Sequence, residues 1–419
     1  AAVVDEQSLK EDNQFADSAA MLVGDTTITA NKTIYINADT GNDSNAGSTD
    51  APVKTFAKAL TLANAGDTIE ITGDLNHSIQ GITKPLTIQG AGEDRVAVSG
   101  GVGLPVANGT VTFRNLSFNG SSTFGNYSQG SEYSGLDLVI DDCAFTQAGG
   151  NCVYIIPEID SLTVTNCDFN SAVTSYQKQY MIWPYAAKTI TITDNTFNGQ
   201  GLTRAPIHLG DGHPDGTTAT VSGNTISGFE RGVQLALIND AENTVTISGN
   251  TFKDVTLSTG TSAESYETAT VFIHETQKNN TQISYTNNKL TGNSERAVYT
   301  ENAVVDTAKL FTNFSGNTLG DGENAPDLGT LEENVFDPFV AQIGQNKYKS
   351  LDAAITAAGS MSGDVIITLI ADADYSNVCS NANNASNTIS FDLSSATKLS
   401  SLKIQGASQD VQIISGVNG

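Results

Sequence analysis

Ile190-Thr-Ile-Thr-Asp-Asn-Thr-Phe197 and Val245-Thr-Ile-Ser-Gly-Asn-Thr-Phe252 are two copies of one pattern, and that pattern decides the fold. It also occurs as Val111-Thr-Phe-Arg-Asn-Leu-Ser-Phe118, Leu138-Val-Ile-Asp-Asp-Cys-Ala-Phe145 and Leu162-Thr-Val-Thr-Asn-Cys-Asp-Phe169. Further copies are Ala219-Thr-Val-Ser-Gly-Asn-Thr-Ile226, Ile283-Ser-Tyr-Thr-Asn-Asn-Lys-Leu290 and, one residue longer, Phe311-Thr-Asn-Phe-Ser-Gly-Asn-Thr-Leu319. Apolar and polar residues alternate with period two, so each copy reads as a strand with one buried face. Aligned on the pattern, one column reads Leu116, Cys143, Cys167, Asn195, Asn224, Asn250, Asn288, Asn317. The column two residues on reads Phe118, Phe145, Phe169, Phe197, Ile226, Phe252, Leu290, Leu319. The copies recur about every 29 residues, a period that means stacked coils, each stabilised by its neighbours. With strands ~4.8 Å apart, each column becomes a continuous stack. Asparagines at a turn can then hydrogen-bond along the stack, while the aromatic column buries apolar area. Cys143 and Cys167 read as small apolar rungs of the same column.

Composition narrows the function. The 419 residues include 46 acidic against 20 basic, a formal net charge of −26. Such a field repels nucleic acid and anionic lipid headgroups, which excludes nucleic-acid partners. It also repels polyuronates unless a cation or a local basic patch intervenes. No stretch approaches the roughly 20 consecutive apolar residues of a membrane-spanning helix, so no membrane insertion is expected. Cys143, Cys152, Cys167 and Cys379 lack the number and spacing of a disulfide framework or a zinc site. A surface rich in Asn, Thr, Ser and Gly suits an extracellular protein, secreted or displayed at the cell surface, and a monomer is expected.

Ahead of the repeats stand Ile34-Tyr-Ile-Asn-Ala-Asp-Thr-Gly-Asn-Asp-Ser-Asn-Ala-Gly47, Pro52-Val-Lys-Thr-Phe-Ala-Lys-Ala-Leu60 and Gly66-Asp-Thr-Ile-Glu-Ile71. This series resembles the N-terminal signature of pectate-lyase-like right-handed parallel β-helix proteins. The resemblance implies an all-β, right-handed solenoid whose open end is plugged by a short amphipathic helix through Phe56, Ala59, Leu60 and Ala63. It is poor for activity, because lyases, hydrolases and non-catalytic surface proteins share the signature. Tyr348-Lys-Ser-Leu-Asp-Ala-Ala-Ile355 and Gly363-Asp-Val-Ile-Ile-Thr-Leu-Ile370 repeat the cap, and Leu402-Lys-Ile-Gln-Gly-Ala407 parallels Leu86-Thr-Ile-Gln-Gly-Ala91. The expected organisation is an acidic N-terminal segment with the entry strand (1–30), a β-helix (31–320) and a junction (321–339). The start of a second β-helix-like unit, truncated or capping, follows (340–419). Tandem units of this kind imply a bacterial cell-surface, adhesin-like protein.

Between the repeats lies a second strand series: Val153-Tyr-Ile-Ile156, Met181-Ile-Trp-Pro184, Ile207-His-Leu-Gly210, Val233-Gln-Leu-Ala236, Val271-Phe-Ile-His274 and Val298-Tyr-Thr-Glu301. Alternation sends Val153, Val233, Val271 and Val298 inward. It sends Tyr154, Ile182, His208, Gln234, Phe272 and Tyr299 outward, in one column. Exposed rings pack on sugar faces and amides take hydroxyls, so Tyr154, Trp183, Gln234, Phe272 and Tyr299 are ligand-binding candidates. The competing reading is an ordinary outer face shielded by loops.

Catalytic candidates sit at the edge of this stripe. Glu230-Arg231 and Glu295-Arg296 place an arginine two residues before an inward valine, with Arg204 near the same level. β-Elimination uses such a base beside a neutralised carboxylate; the plainer account is a Glu–Arg pair closing a turn. Ile207-His-Leu-Gly-Asp-Gly-His-Pro-Asp-Gly216 gathers His208, Asp211, His213 and Asp215, with His274-Glu275 further along. That loop could pair acid and base for glycoside hydrolysis, offer Asp211, His213 and Asp215 to a cation, or simply turn the chain. The catalytic candidates are therefore His208, Asp211, Arg231, His274 and Arg296. The motifs of polygalacturonase-type hydrolases of this fold (Asn-x-Asp, Asp-Asp, Gly-His-Gly, Arg-x-Lys) do not occur in order. The Asp39–Asn45 loop is oxygen-rich but lacks a bidentate Glu, so no cofactor or metal is expected; calcium is the ion such loops would suit. Two functions stand side by side. One is a non-catalytic adhesin-like or carbohydrate-binding module with a glycan or a host or cell-surface ligand as partner. The other is a polysaccharide lyase or glycoside hydrolase acting on a linear glycan along the stripe.

Overall fold

The computed structural model describes residues 31–119, 124–126, 133–212, 215–263, 267–294, 296–302, 305–336, 338–374 and 396–414. His213, Glu295 and Cys379 lie outside the described residues. The alternating half of every repeat becomes a strand of one 11-stranded sheet, running from Thr33–Ile36 through Thr68–Ile71, Leu86–Gly90 and Gly109–Arg114 to Phe311–Ser315. Its neighbours pair in parallel and in register: Leu162 and Val164 lie beside Ile190 and Ile192, which lie beside Ala219 and Val221. All of these are buried.

The chain then turns a corner, and the sequence shows how. The residue before each column position has positive φ: Asn115 (54°), Asp142 (49°), Asn166 (54°), Asp194 (58°), Gly223 (67°), Gly249 (65°), Asn287 (56°) and Gly316 (67°). Only Asn, Asp and Gly enter that region at low cost, which explains why no other residue type stands there. The next residue points inward. The Oδ1 atoms of Asn195, Asn224, Asn250, Asn288 and Asn317 each accept the backbone N–H one coil back, at 2.9–3.0 Å. Their Nδ2 atoms donate to strand carbonyls and, from Asn195 to Asn288, to the next Oδ1. Buried amides are tolerated because both ends are paired. Beneath them the rings of Phe118, Phe145, Phe169 and Phe197 stack at centroid distances of 5.1, 4.7 and 4.8 Å.

A 16-stranded sheet supplies the remaining faces in two runs that share the long strand Thr196–Asp211. One run, from Val96–Val98 to Thr318–Leu319, carries the aromatic column. The other passes through Phe124–Asn126, Val153–Ile155, Gln177–Pro184, Arg231–Leu237, Ala269–Ile273, Val298–Thr300 and Val335–Phe336, and its outer surface carries the candidate site. Its last strand falls within the stretch read as a junction, so the coils continue there.

The helix Phe56–Leu62 starts at Thr55, whose hydroxyl accepts from the Lys58 N–H. Phe56 and Ala59 are buried against the first coil, with Ala63 beyond the helix end, and Leu60 packs beside them. Residues from Ala341 have a separate core, in which the helix Leu351–Gly359 packs by Leu351, Ala354, Ile355 and Ala358. There a sheet forms in the order Asn346–Tyr348, Ala341–Ile343, Gly363–Leu369, Leu399–Gly406.

Candidate ligand-binding site

The outward column of the second run is set by register. Tyr154 pairs with Trp183, His208 with Gln234, Gln234 with Phe272, Phe272 with Tyr299, and Tyr299 with Phe336. One member differs from the sequence reading. Ile182, expected outside, is fully buried between Val153 and Ile207, and Trp183 takes the outward place. An irregularity between Gln177 and Tyr180 shifts the strand against its neighbour, and the apolar run Tyr180–Trp183 gives alternation nothing to read.

Along this column the exposure changes abruptly. Tyr154, Trp183 and Tyr185 are half-buried and adjacent, with ring centroids 4.8 Å apart for Tyr154–Trp183 and 5.9 Å for Trp183–Tyr185. Phe272 and Tyr299, offered as sugar-stacking rings, are fully buried. Phe272 stacks on Tyr299 (5.1 Å), and Tyr299 on Phe336 (6.0 Å). Arg231 lies over Phe272 at 3.3 Å and Arg296 over Phe336 at 4.8 Å, so two cation–π contacts close the stack. These rings have no face left for a ligand. That corrects their assignment: an outward column on a solenoid is still buried wherever longer turns fold over it. Gln234 is corrected on the same ground, being 1 % exposed.

The groups between the open rings and the closed stack form one polar network. Gln234 accepts from Arg231 Nη1 (2.7 Å) and donates to the Tyr180 hydroxyl (2.9 Å). Arg204 hydrogen-bonds Tyr176 and Tyr180, and Tyr176 donates to Glu230 Oε1 (3.2 Å). Glu230 is fully buried, with Arg231 Nε 4.0 Å away. His208 is stacked on Tyr180 (4.4 Å) and meets Trp183 edge-on (4.8 Å). Burial, helped by the neighbouring His274, Arg204 and Arg231, pushes its imidazole down to about 3, so it is neutral at pH 7. Five buried side-chain atoms of this one network, Trp183 Nε1, Arg204 Nε, His208 Nδ1, Glu230 Oε2 and Arg231 Nε, lack a hydrogen-bond partner. Unpaired buried polar atoms are rare in folded proteins, and their concentration marks the site. Tyr176, Tyr180 and Tyr185 were not singled out from sequence, because they lie outside the alternating positions that the reading followed.

Comparison with known protein families supports the architecture of the stacked coils. Residues 133–319 match the family described as the right handed beta helix region. The stacked coils form a right-handed parallel β-helix. Among solved structures, this β-helix is similar to a GH136 lacto-N-biosidase from Eubacterium ramulus, with 12 % identity and a TM-score of 0.40. The match covers 68 % of this chain and 62 % of that one. No curated protein matches it.

The remaining candidates are dispersed along the β-helix. Asp211 closes the long strand, where its backbone pairs with Leu237. Asp215 stands exposed in a turn, and His213 is outside the described residues. His274 touches the Thr276 hydroxyl through Nδ1 (2.9 Å) and faces Glu301 at 3.9 Å. Arg296 donates to the Thr268 carbonyl (3.2 Å). No group of three or more His, Cys, Asp or Glu among the described residues could hold a metal. In the Asp39–Asn45 loop, Asp43 instead accepts from the Lys54 and Thr55 backbone and the Thr55 hydroxyl, each at 2.9 Å, and so fastens the cap helix. No helix among the described residues is long and apolar enough to cross a membrane.

Proposed function

We propose that this β-helix is a secreted or cell-surface, adhesin-like module that holds a glycan on its outer face without turning it over. The observation that carries this reading is the commitment of the candidate catalytic side chains. Arg231, the best-placed base for β-elimination, lies 3.3 Å over Phe272 and donates to Gln234. An arginine so engaged keeps its proton and its place. His208 is neutral at pH 7 and too weak a base to match a general acid–base role there. The adjacent, half-buried rings of Tyr154, Trp183 and Tyr185 instead suit a sugar lying flat on them, its polar groups turned to the unpaired N–H groups and the Glu230 carboxylate beside them.

Trp183 is the sole tryptophan of the chain, so its fluorescence reports on this site directly. Titration with a panel of oligosaccharides should shift its emission, while chromatography of the same mixtures shows the sugars intact. Released shorter or unsaturated sugars would transfer the site to the lyase or hydrolase reading. Neither a shift nor products across neutral and acidic panels would remove the glycan proposal altogether.

A further inference from the structure

We propose that the inner end of this glycan site is a pocket for one oxyanion, so that the bound glycan carries a carboxylate or a sulfate ester. The inference rests on the glycan reading above and adds its chemical class. Trp183 Nε1, Arg204 Nε and Arg231 Nε are buried N–H donors without acceptors, and the unpaired His208 Nδ1 beside them donates or accepts according to the tautomer. Glu230 Oε2 is the one unpaired atom of the network that can only accept. His208 and Arg231 are each only 6 % exposed and Glu230 is fully buried, so these are not solvated ends of surface side chains. A group that satisfies the set offers several acceptor oxygens and one donor. An acidic sugar residue has that form: oxyanion oxygens for the N–H groups, and a neighbouring hydroxyl for Glu230.

Charge points the same way. Arg204 and Arg231 bring two positive charges to the network and Glu230 one negative, with Glu301 acting on Arg231 from a distance and His208 neutral. A buried charge is costly unless paired. The setting sharpens this, because the whole chain carries −26 while Arg204, Arg231 and Arg296, three of its five arginines, stand on this one outer face. Guanidinium groups suit carboxylate and sulfate by shape as well as charge. Arg204 is only part-buried, beside Tyr176 and Tyr180, whereas Arg231, Glu230 and His208 are buried.

The test uses the full chain and four probes read by Trp183 fluorescence: a glucuronate-containing disaccharide, its methyl ester, a sulfated neutral disaccharide, and sodium sulfate. The acid or the sulfate ester should bind, and the methyl ester should bind at least about tenfold more weakly, as loss of a charge-assisted contact implies. Arg204→Gln, at a part-exposed position, should reproduce that loss in a folded protein, with Arg231→Gln as the second variant. Equal binding of acid and ester would overturn the pocket and leave the glycan reading standing. An equal response to sodium sulfate alone would assign the pocket to free small anions and overturn the sugar assignment. Silence from all four probes, alongside binding of neutral oligosaccharides, would overturn the pocket alone. Silence throughout would overturn both.

Discussion

Gly249 holds a φ of 65° at a corner where an added Cβ would meet only the Gly223 nitrogen, at 3.9 Å. Space is therefore not the constraint; the left-handed backbone is. Gly249→Asn should leave stability within about 0.5 kcal/mol, and Gly249→Val should cost about 2 kcal/mol, both readable by denaturant unfolding. One residue on, Asn250 accepts from the Asn224 backbone (3.0 Å) and amide (2.9 Å) and donates to Val221 and Asn288. Asn250→Ala strands several buried groups at once and should cost about 3–5 kcal/mol. His208 gives a pH signature. Its folded pKa of about 3 lies below the ordinary 6.5, so the unfolded chain takes up the proton first. The stability contributed by keeping it neutral is complete above about pH 6.5. It falls steadily as pH drops toward 3. Melting curves of His208→Gln should therefore flatten relative to the parent between those limits; identical slopes would contradict the burial described.

Strands and turns show what the sequence could and could not convey. The coils were legible because period-two alternation and the Asn, Asp or Gly before each column residue are local features, repeated often enough to align. The outer face was harder. Tyr180-Met-Ile-Trp183 carries no alternation, so a single irregular position moved Trp183 rather than Ile182 outside. Whether an outward residue meets solvent depends on which turns fold over it, and that is a non-local matter. Arg231, Phe272, Tyr299, Phe336 and Arg296 are far apart in the chain yet form one closed stack. Tyr299→Ala should therefore cost about 3–5 kcal/mol, as for a core aromatic, whereas Tyr185→Ala at the half-buried rings should cost clearly less. Comparable losses would mean that the stack and the open rings are not distinct.

For the molecule as a whole, one core runs from Ile34 to Phe311, and a second forms around Leu351, Ile355, Val365 and Ile367. A long solenoid of this kind offers its outer surface as a continuous platform, and here the open rings and the unpaired polar atoms occupy neighbouring coils of it. The strong negative charge makes indiscriminate adhesion to acidic surfaces unfavourable, so the proposed binding is assigned to that local site. The most direct test is a glycan array probed in parallel with the parent chain and Trp183→Ala. The account predicts that the parent is retained by a defined set of glycans, that Trp183→Ala is not, and that the spotted glycans remain uncleaved. Equal retention of the two proteins, or cleavage of the glycans by the parent, would contradict it.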